Sequence, residues 1–101
     1  MGTKPRQRPE KLGGKLLHIR HALGLSQSEM LRCLGAEGFS SPARISEYES
    51  GVREPSLTML LGYASVARVH LEHIIDDEAL LPDKLPGTFN YQRSKRKART
   101  S

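Results

Sequence analysis

The sequence is poor in cysteine and aromatic residues: its 101 residues include one cysteine, three tyrosines, two phenylalanines and no tryptophan. With Cys33 alone, the chain can form neither an intramolecular disulfide nor a zinc site built from cysteines. No apolar run approaches the roughly 20 residues of a transmembrane helix, and the basic N-terminus lacks the apolar stretch of a signal peptide. We therefore expect a soluble cytoplasmic protein without metal or cofactor, in which Cys33 is a small buried hydrophobe.

Charge is distributed unevenly along the chain, although the net charge is only +5. Residues 1–24 and residues 81–101 each carry six Lys or Arg against a single acid, whereas residues 25–80 carry four Arg against nine acids. Basic segments attract polyanions such as nucleic acid, although they also serve simply as solvated tails. The cations near the C-terminus that we expect to favour DNA are Arg93, Lys95, Arg96, Lys97 and Arg99.

Apolar residues and helix signals concentrate in the middle of the chain. Residues 1–10 combine cations and two prolines with almost no apolar side chain, so we predict a flexible basic arm. Pro82 and Pro86 interrupt regular structure, and residues 81–101 are predicted to form a flexible basic tail. Residues 11–80 are predicted to fold as one domain.

Capping residues mark the first two helices of this domain. The first predicted helix spans residues 11–23, where apolar residues recur at spacings of three and four, and Gly24 follows as a left-handed C-terminal residue. Ser26 and Glu29 have the spacing of a capping box, which satisfies two free backbone N–H groups. The second helix is therefore predicted to begin there and to end at Gly35.

Three further helices are predicted along the domain. Ser41 as N-cap and Pro42 at the first helical position form a strong start signal, and Gly51 ends the third helix. The fourth helix begins with Ser56 as its cap, and the fifth spans about residues 71–77. The inward-facing apolar residues of the fifth helix are predicted to be Leu71, Ile74 and Ile75. No segment alternates as a strand would, so the predicted fold is all-α with five helices.

Three stretches of this pattern, taken together and in order, resemble the lambda-repressor-like helix-turn-helix family of the xenobiotic-response-element type. They are Ile19-Arg20 with Gly24-Leu25-Ser26-Gln27, then Ile45-Ser46-Glu47-Tyr48-Glu49-Ser50-Gly51, and then Arg53-Glu54-Pro55-Ser56-Leu57. The resemblance covers about residues 12–76. It implies a compact domain that binds double-stranded DNA as a sequence-specific, repressor-like transcriptional regulator, often as a homodimer, with no small-molecule substrate. The third helix, residues 41–50, would lie in the major groove.

The resemblance places base contacts near the start of the third helix, at Pro42, Ala43, Arg44 and Glu47. Arg44 can donate two hydrogen bonds to guanine O6 and N7, Ala43 can touch a thymine methyl group, and Glu47 can accept from cytosine N4. A phosphate contact without sequence information is the alternative for Arg44. A solvated surface position is the alternative for Glu47.

The resemblance implies phosphate contacts at Gln27, Ser41, Ser50 and Arg53. Gln27 begins the second helix, where the helix dipole favours a phosphate, and an ordinary polar surface residue is the alternative. For Arg53 the alternative is a loop cation paired with Glu54.

The resemblance also implies a structural ion pair between Arg20 and Glu49. This pair would join the first helix to the third beneath the surface. Loss of one partner would leave a buried charge without its counter-ion, which typically costs about 3–5 kcal/mol.

Two positions depart from the family pattern. Nine residues separate Gly35 from Ile45, more than the family usually has. In this longer turn Gly38 is expected to allow left-handed geometry, and Phe39 is expected to fill the edge of the core. Arg68 stands where the family has the glycine that ends the fourth helix, so we expect a less sharp boundary there.

Pro42, Glu47 and Glu49 on the third helix give some weight to a function other than DNA binding, since two of them are acidic and the proline has no N–H donor. A protein-interaction or antitoxin-like regulatory module with the same fold is therefore the alternative function. An enzyme is not expected, because the sequence has no Ser/His/Asp set, metal cluster or glycine-rich phosphate loop. The candidates for a dimer surface are the apolar residues Ile75, Leu80 and Leu81, which could instead complete the core.

Overall fold

The computed structural model describes residues 9–87 of the chain. Over these residues the chain forms five α-helices, whose bounds are Leu12–Leu23 (α1), Gln27–Cys33 (α2), Pro42–Ser50 (α3), Leu57–Ala67 (α4) and Leu71–Ile75 (α5). No residue of this part of the chain lies in a β-strand, so the predicted all-α fold of five helices is confirmed. None of the described helices has the length and apolarity that crossing a membrane requires. The five cations of the predicted basic tail and most of the N-terminal arm lie outside the described residues.

Side-chain caps fix the N-terminal ends of α2 and α4 where the sequence predicted them. The Ser26 hydroxyl accepts from the N–H of Glu29 at 3.0 Å, and the Glu29 carboxylate accepts from the N–H of Ser26 at 2.8 Å. The Ser56 hydroxyl accepts from the N–H of Met59 at 3.1 Å. Ser41 stands at the N-cap position of α3, but its side chain makes no cap hydrogen bond. The hydroxyl cap expected there is therefore absent, and α3 begins with the extended backbone of this serine and the proline that follows it.

Residues in the left-handed region end three of the helices. Gly24 after α1 has a φ of 72°, and Gly51 after α3 has a φ of 82°. After α4 the same conformation is adopted by Arg68, with φ 59° and ψ 46°. The N–H of the next residue, Val69, donates to the carbonyl of Ala64 at 3.0 Å. The end of α4 is therefore sharp without glycine, contrary to our expectation, and Arg68 carries backbone strain that glycine would not.

The hydrophobic core receives side chains from all five helices. The largest side chains that are fully removed from solvent are Leu16, Ile19, Leu23, Met30, Ile45, Tyr63 and Ile74. Helix α1 packs against α3, α4 and α5, while α2 packs against α3. Because both α1 and α2 pack against α3, these two helices together position it.

The longer turn between α2 and α3 is packed differently from the prediction. Phe39 is 77% exposed, and Ala36 rather than Phe39 enters the core. Left-handed geometry is supplied by Gly35, with a φ of 69°, and not by Gly38. The N–H groups of Phe39 and Ser40 donate to the carbonyl of Ala36 at 3.1 and 2.9 Å. The turn thus folds back over its buried alanine and holds the phenylalanine outside.

Cys33 and Ile75 lie on the surface, although both were predicted to face the core. Helix α2 turns the stripe that contains Met30 and Leu31 inward, and Cys33 lies roughly 100° around the helix from that stripe. Helix α5 is shorter than predicted and ends at Ile75. Its one buried residue is Ile74.

The folded body extends beyond residue 80, which differs from the limit expected from the sequence. Leu85 is buried in the core. Gly87 packs against the C-terminal end of α4, where a Cβ atom on Gly87 would clash with the carbonyl oxygen of Val66. Leu81, Leu85 and Gly87 therefore pack against the domain, because apolar residues continue past Pro82.

A buried ammonium group ties α1 to the end of α5. Lys15 Nζ donates to the carbonyl oxygens of His73, Asp76 and Ala79, each at 2.7 Å. Burial lowers the pKa of this lysine. The His73 carbonyl is in the last turn of α5, where carbonyl groups have no partner within the helix, and the other two carbonyls belong to the segment that follows. Lys15 therefore joins α1 both to the end of α5 and to the turn after it.

The N-terminal end of α1 is in turn held by Asp77. Its carboxylate accepts from the backbone N–H groups of Glu10 and Lys11 at 2.8 and 3.0 Å. These bonds lower the pKa of the Asp77 carboxyl. An acid at this end of a helix is also favoured by the helix dipole, so Asp77 acts as a cap supplied from a distant part of the chain.

Candidate nucleic-acid interface

Helix α3 divides its side chains between the core and the solvent. Ile45 and Tyr48 are buried against the rest of the domain. The residues on its outer side, which include all four predicted base contacts, are Pro42, Ala43, Arg44, Ser46 and Glu47. The first two turns of α3 therefore present an accessible polar face.

A buried ion pair holds the far end of α3 to α1. Arg20 Nε and Nη2 donate to the two carboxylate oxygens of Glu49 at 2.6 and 3.1 Å, and Arg20 Nη1 donates to the carbonyl of Leu25 at 2.9 Å. The two charged side chains are only 13% and 6% exposed, and the bond to Glu49 raises the pKa of Arg20. Bidentate pairs of this kind are stronger and more directional than single contacts. The pair implied by the family resemblance thus fixes the orientation of α3.

Gln27 joins this network from the start of α2. Its side-chain amide donates to Oε1 of Glu49 at 3.3 Å. Gln27 is therefore oriented by α3 and lies where α2 begins. Its contact with a phosphate remains a prediction.

Two arginines share the carboxylate of Glu47 on the outer side of α3. Oε1 of Glu47 lies 3.2 Å from Nε of Arg44, one turn earlier in the helix, and 3.3 Å from Nε of Arg53 in the following loop. The spacing of Arg44 and Glu47, at i and i+3, was a signal in the sequence for their pairing. The approach of Arg53 depends on how the loop turns back, and no local pattern indicates it.

Hydrogen bonds hold the loop after α3 against the helix. The carbonyl oxygen of Glu47 accepts from the Ser50 hydroxyl and from the N–H of Arg53, both at 3.2 Å. The left-handed conformation of Gly51 turns the chain at this point. Ser50 and Arg53 thus lie together at the C-terminal end of α3, and Ser41 is exposed at its N-terminal end. Their phosphate contacts remain predictions.

Helix α1 comes very close to the end of α3 at Gly13. A Cβ atom there would lie 2.7 Å from the carbonyl oxygen of Glu49 and 3.0 Å from that of Tyr48. The absence of a side chain at Gly13 therefore lets the two backbones meet. This contact was not predicted from the sequence, where its available signal was a glycine within a helix, a position at which alanine is more favourable.

The described residues include no group of three or more His, Cys, Asp or Glu side chains that could hold a metal ion. The rings of His70 and His73 lie with their centroids 5.7 Å apart and their planes inclined by 50°. Two histidines alone do not form the ligand set of a protein zinc site.

A short helix that is anchored to the core, follows a second helix and a turn, and keeps a polar face accessible has the architecture of a helix-turn-helix DNA-binding domain. Comparison with known protein families agrees, since residues 16–74 match the helix-turn-helix family. The chain belongs to the lambda-repressor-like, xenobiotic-response-element type of this family, which is a family of DNA-binding domains. No curated protein and no solved structure gave a significant match to the chain.

Proposed function

We propose that the protein is a sequence-specific, repressor-like transcriptional regulator that inserts α3 in the major groove of double-stranded DNA. One observation carries the proposal: α3 buries its apolar side and leaves Arg44 and Glu47 accessible on the other. A helix of nine residues is roughly 14 Å long, and the major groove is about 12 Å wide. The start of α3 can therefore enter the groove while α1 holds its other end.

The residues proposed for base contacts differ in what they can recognise. Arg44 is the strongest reader, because its guanidinium can donate to guanine O6 and N7 together. Ala43 offers an apolar contact to a thymine methyl group, and Glu47 can accept from cytosine N4. Pro42 has no N–H donor and supports apolar contact alone. We therefore expect a short recognition sequence in which a guanine is the best-defined base.

The proposed phosphate contacts lie at both ends of this face, at Gln27, Ser41, Ser50 and Arg53. Such contacts fix the position of the protein on the duplex and carry no base information. The basic tail, at residues 93–99, is proposed to add further contacts of the same kind. Each phosphate neutralised contributes about −0.9 to the slope of log K against log salt. Deletion of residues 90–101 should therefore make that slope shallower and weaken binding to all sequences alike.

Selection of bound duplexes from random DNA tests the proposal. We expect one recurring sequence that contains a guanine, and Arg44→Ala should cost about 1–3 kcal/mol of binding free energy at that base pair. Ser41→Ala is the control, because the Ser41 side chain makes no cap hydrogen bond and does not pair with Glu47 among the described residues, and loss of a phosphate contact should weaken binding to every sequence equally. A selection that enriches no sequence would contradict the proposal and would favour the alternative, a protein-interaction or antitoxin-like module.

We further propose that the protein acts in the cytoplasm and binds DNA as a homodimer. Helix-turn-helix dimers of this kind read two half-sites about 34 Å apart. Leu80 is 77% exposed and Ile75 is accessible, whereas Leu81 packs against the core. Leu80 and Ile75 are therefore the better candidates for the dimer surface. Sedimentation should show a dimer for the wild-type chain and a monomer for Leu80→Glu. A monomeric wild-type chain bound to its selected site would contradict the dimer.

A further inference from the structure

The proposed DNA-reading face contains an acid that lies between its two cations. One oxygen of Glu47 lies within 3.3 Å of Nε of both Arg44 and Arg53, and the three side chains are 39%, 42% and 49% exposed respectively. These are the side chains that the proposed function assigns to cytosine, guanine and phosphate. The groups intended for DNA are therefore already paired with one another.

Pairing of this kind can be exchanged for contacts with DNA. Exposed ion pairs are weak individually, so a DNA phosphate or a guanine can replace Glu47 as the partner of an arginine. The exchange leaves the Glu47 carboxylate beside the negatively charged duplex, where an unpaired acceptor is unfavourable. Cytosine N4 is the base donor that a carboxylate accepts from in the major groove. The exchange is therefore favourable at a sequence that places a cytosine amino group at Glu47, and unfavourable elsewhere.

We infer that Glu47 is a specificity-determining residue that suppresses binding to non-cognate DNA by holding Arg44 and Arg53. At the cognate site the cytosine amino group takes the place of the arginines, and both cations are released to the DNA. Discrimination then comes from an unfavourable interaction with the wrong sequence as well as a favourable one with the right sequence. The inference rests on the proposed function, because it assumes that the outer side of α3 faces the groove.

The chain offers a matched control for this residue. Glu37, in the turn before α3, pairs with Arg32 at 3.5 Å, and both of those side chains are more than half exposed. Glu37→Gln and Glu47→Gln each remove one negative charge that is paired with arginine, although Glu37 pairs with one arginine and Glu47 with two. Only Glu47 lies on the proposed reading face, so a difference between the two variants reports on position rather than on net charge.

The experiment measures dissociation constants of the wild-type chain and both variants across a salt series. The probes are the selected duplex and a random-sequence duplex. We expect Glu47→Gln to release about one further cation to phosphate, which steepens the salt slope by about 0.9 and tightens random-sequence binding about 8-fold at 0.1 M salt. Glu37→Gln should change random-sequence binding much less. A selection repeated with Glu47→Gln should lose its preference for cytosine.

Equal tightening by the two variants, with the cytosine preference retained, would overturn the inference, because net charge alone would then explain the effect. Weaker binding of Glu47→Gln to both duplexes would also overturn it, because Glu47 would then make a favourable contact with any DNA instead of opposing binding to non-cognate DNA. In either case the wild-type chain still selects a sequence, so the proposed function stands. A wild-type chain that selects no sequence overturns the proposed function and this inference together.

Discussion

The two adjacent glycines of α1 should respond in opposite directions to the same substitution. A Cβ atom at Gly14 would meet no other atom within 4 Å, whereas at Gly13 it would lie 2.7 Å from the carbonyl oxygen of Glu49. Alanine is more favourable than glycine in a helix by up to about 1 kcal/mol. Gly14→Ala should therefore stabilise the domain by up to about 1 kcal/mol.

At Gly13 the same gain is opposed by a collision with backbone. Ordinary contact of a Cβ atom begins near 3.4 Å, so α1 and the end of α3 must move apart to admit the methyl group. Overpacking of this kind costs about 1–3 kcal/mol, which exceeds the gain in helix propensity. We expect Gly13→Ala to lower the free energy of unfolding by about 1 kcal/mol, roughly 2 kcal/mol below Gly14→Ala.

Thermal unfolding of the two variants measures this difference. For a domain of this size 1 kcal/mol shifts Tm by about 4–8 °C, so the two Tm values should differ by roughly 8–16 °C, with the wild type between them. The displacement also moves Glu49 away from Arg20, so Gly13→Ala should weaken DNA binding more than Gly14→Ala. A rise in Tm for Gly13→Ala as large as that for Gly14→Ala would refute the close approach of α1 and α3.

Three more substitutions test other contacts of the fold. Arg20→Leu should lower the free energy of unfolding by about 3–5 kcal/mol in urea titrations, because Glu49 keeps a buried charge without its counter-ion. Arg68→Gly should raise Tm, since glycine relieves left-handed strain of about 1–2 kcal/mol and loses only part of that gain to a more flexible unfolded chain. The carboxylate of Asp77 stabilises the folded state above its ordinary pKa of 3.8, and this stabilisation disappears as the pH falls through the lowered folded-state pKa. Asp77→Asn should therefore be less stable than the wild type at pH 7 and close to it at pH 2.

Each of these outcomes has a control or a contrary result. An unchanged urea midpoint for Arg20→Leu would mean that the pair with Glu49 does not hold α3. Arg68→Ala keeps a Cβ atom and should not reproduce the gain in Tm seen with glycine. A stability difference for Asp77→Asn that is the same at pH 2 and pH 7 would show that the ionised carboxylate is not what caps α1.

The features that could be predicted from the sequence are those set by neighbouring residues. The capping box of Ser26 and Glu29 depends on four consecutive residues, and the predicted starts of the second, third and fourth helices all follow from local capping rules. The pairing of Arg20 with Glu49 joins distant residues, and the family resemblance rather than any local pattern indicated it. The proposed contact residues on α3 were also indicated by the family resemblance, after Ser41 and Pro42 had marked where the helix begins.

The features that the sequence did not reveal depend on tertiary packing. Lys15 was counted among the cations of residues 1–24, yet it is buried and its ammonium donates to three carbonyl oxygens in and after α5. Asp77 was predicted to end the fifth helix, yet it lies beyond α5 and caps α1. In the long turn, Ala36 enters the core and Phe39 does not, since the hydrogen-bonded turn and not hydrophobicity decides which side chain points inward.

Replacement of the selected guanine by 7-deazaguanine tests most directly whether Arg44 on α3 reads DNA in the major groove. The change removes N7, one of the two acceptors of a bidentate arginine, and leaves Watson–Crick pairing intact. We predict that the wild-type chain loses roughly 2- to 10-fold in affinity, as expected for about half of a contact that is worth about 1–3 kcal/mol, whereas Arg44→Ala binds the two duplexes equally. Equal losses for the two proteins, or no loss for either, would contradict recognition of that guanine by Arg44.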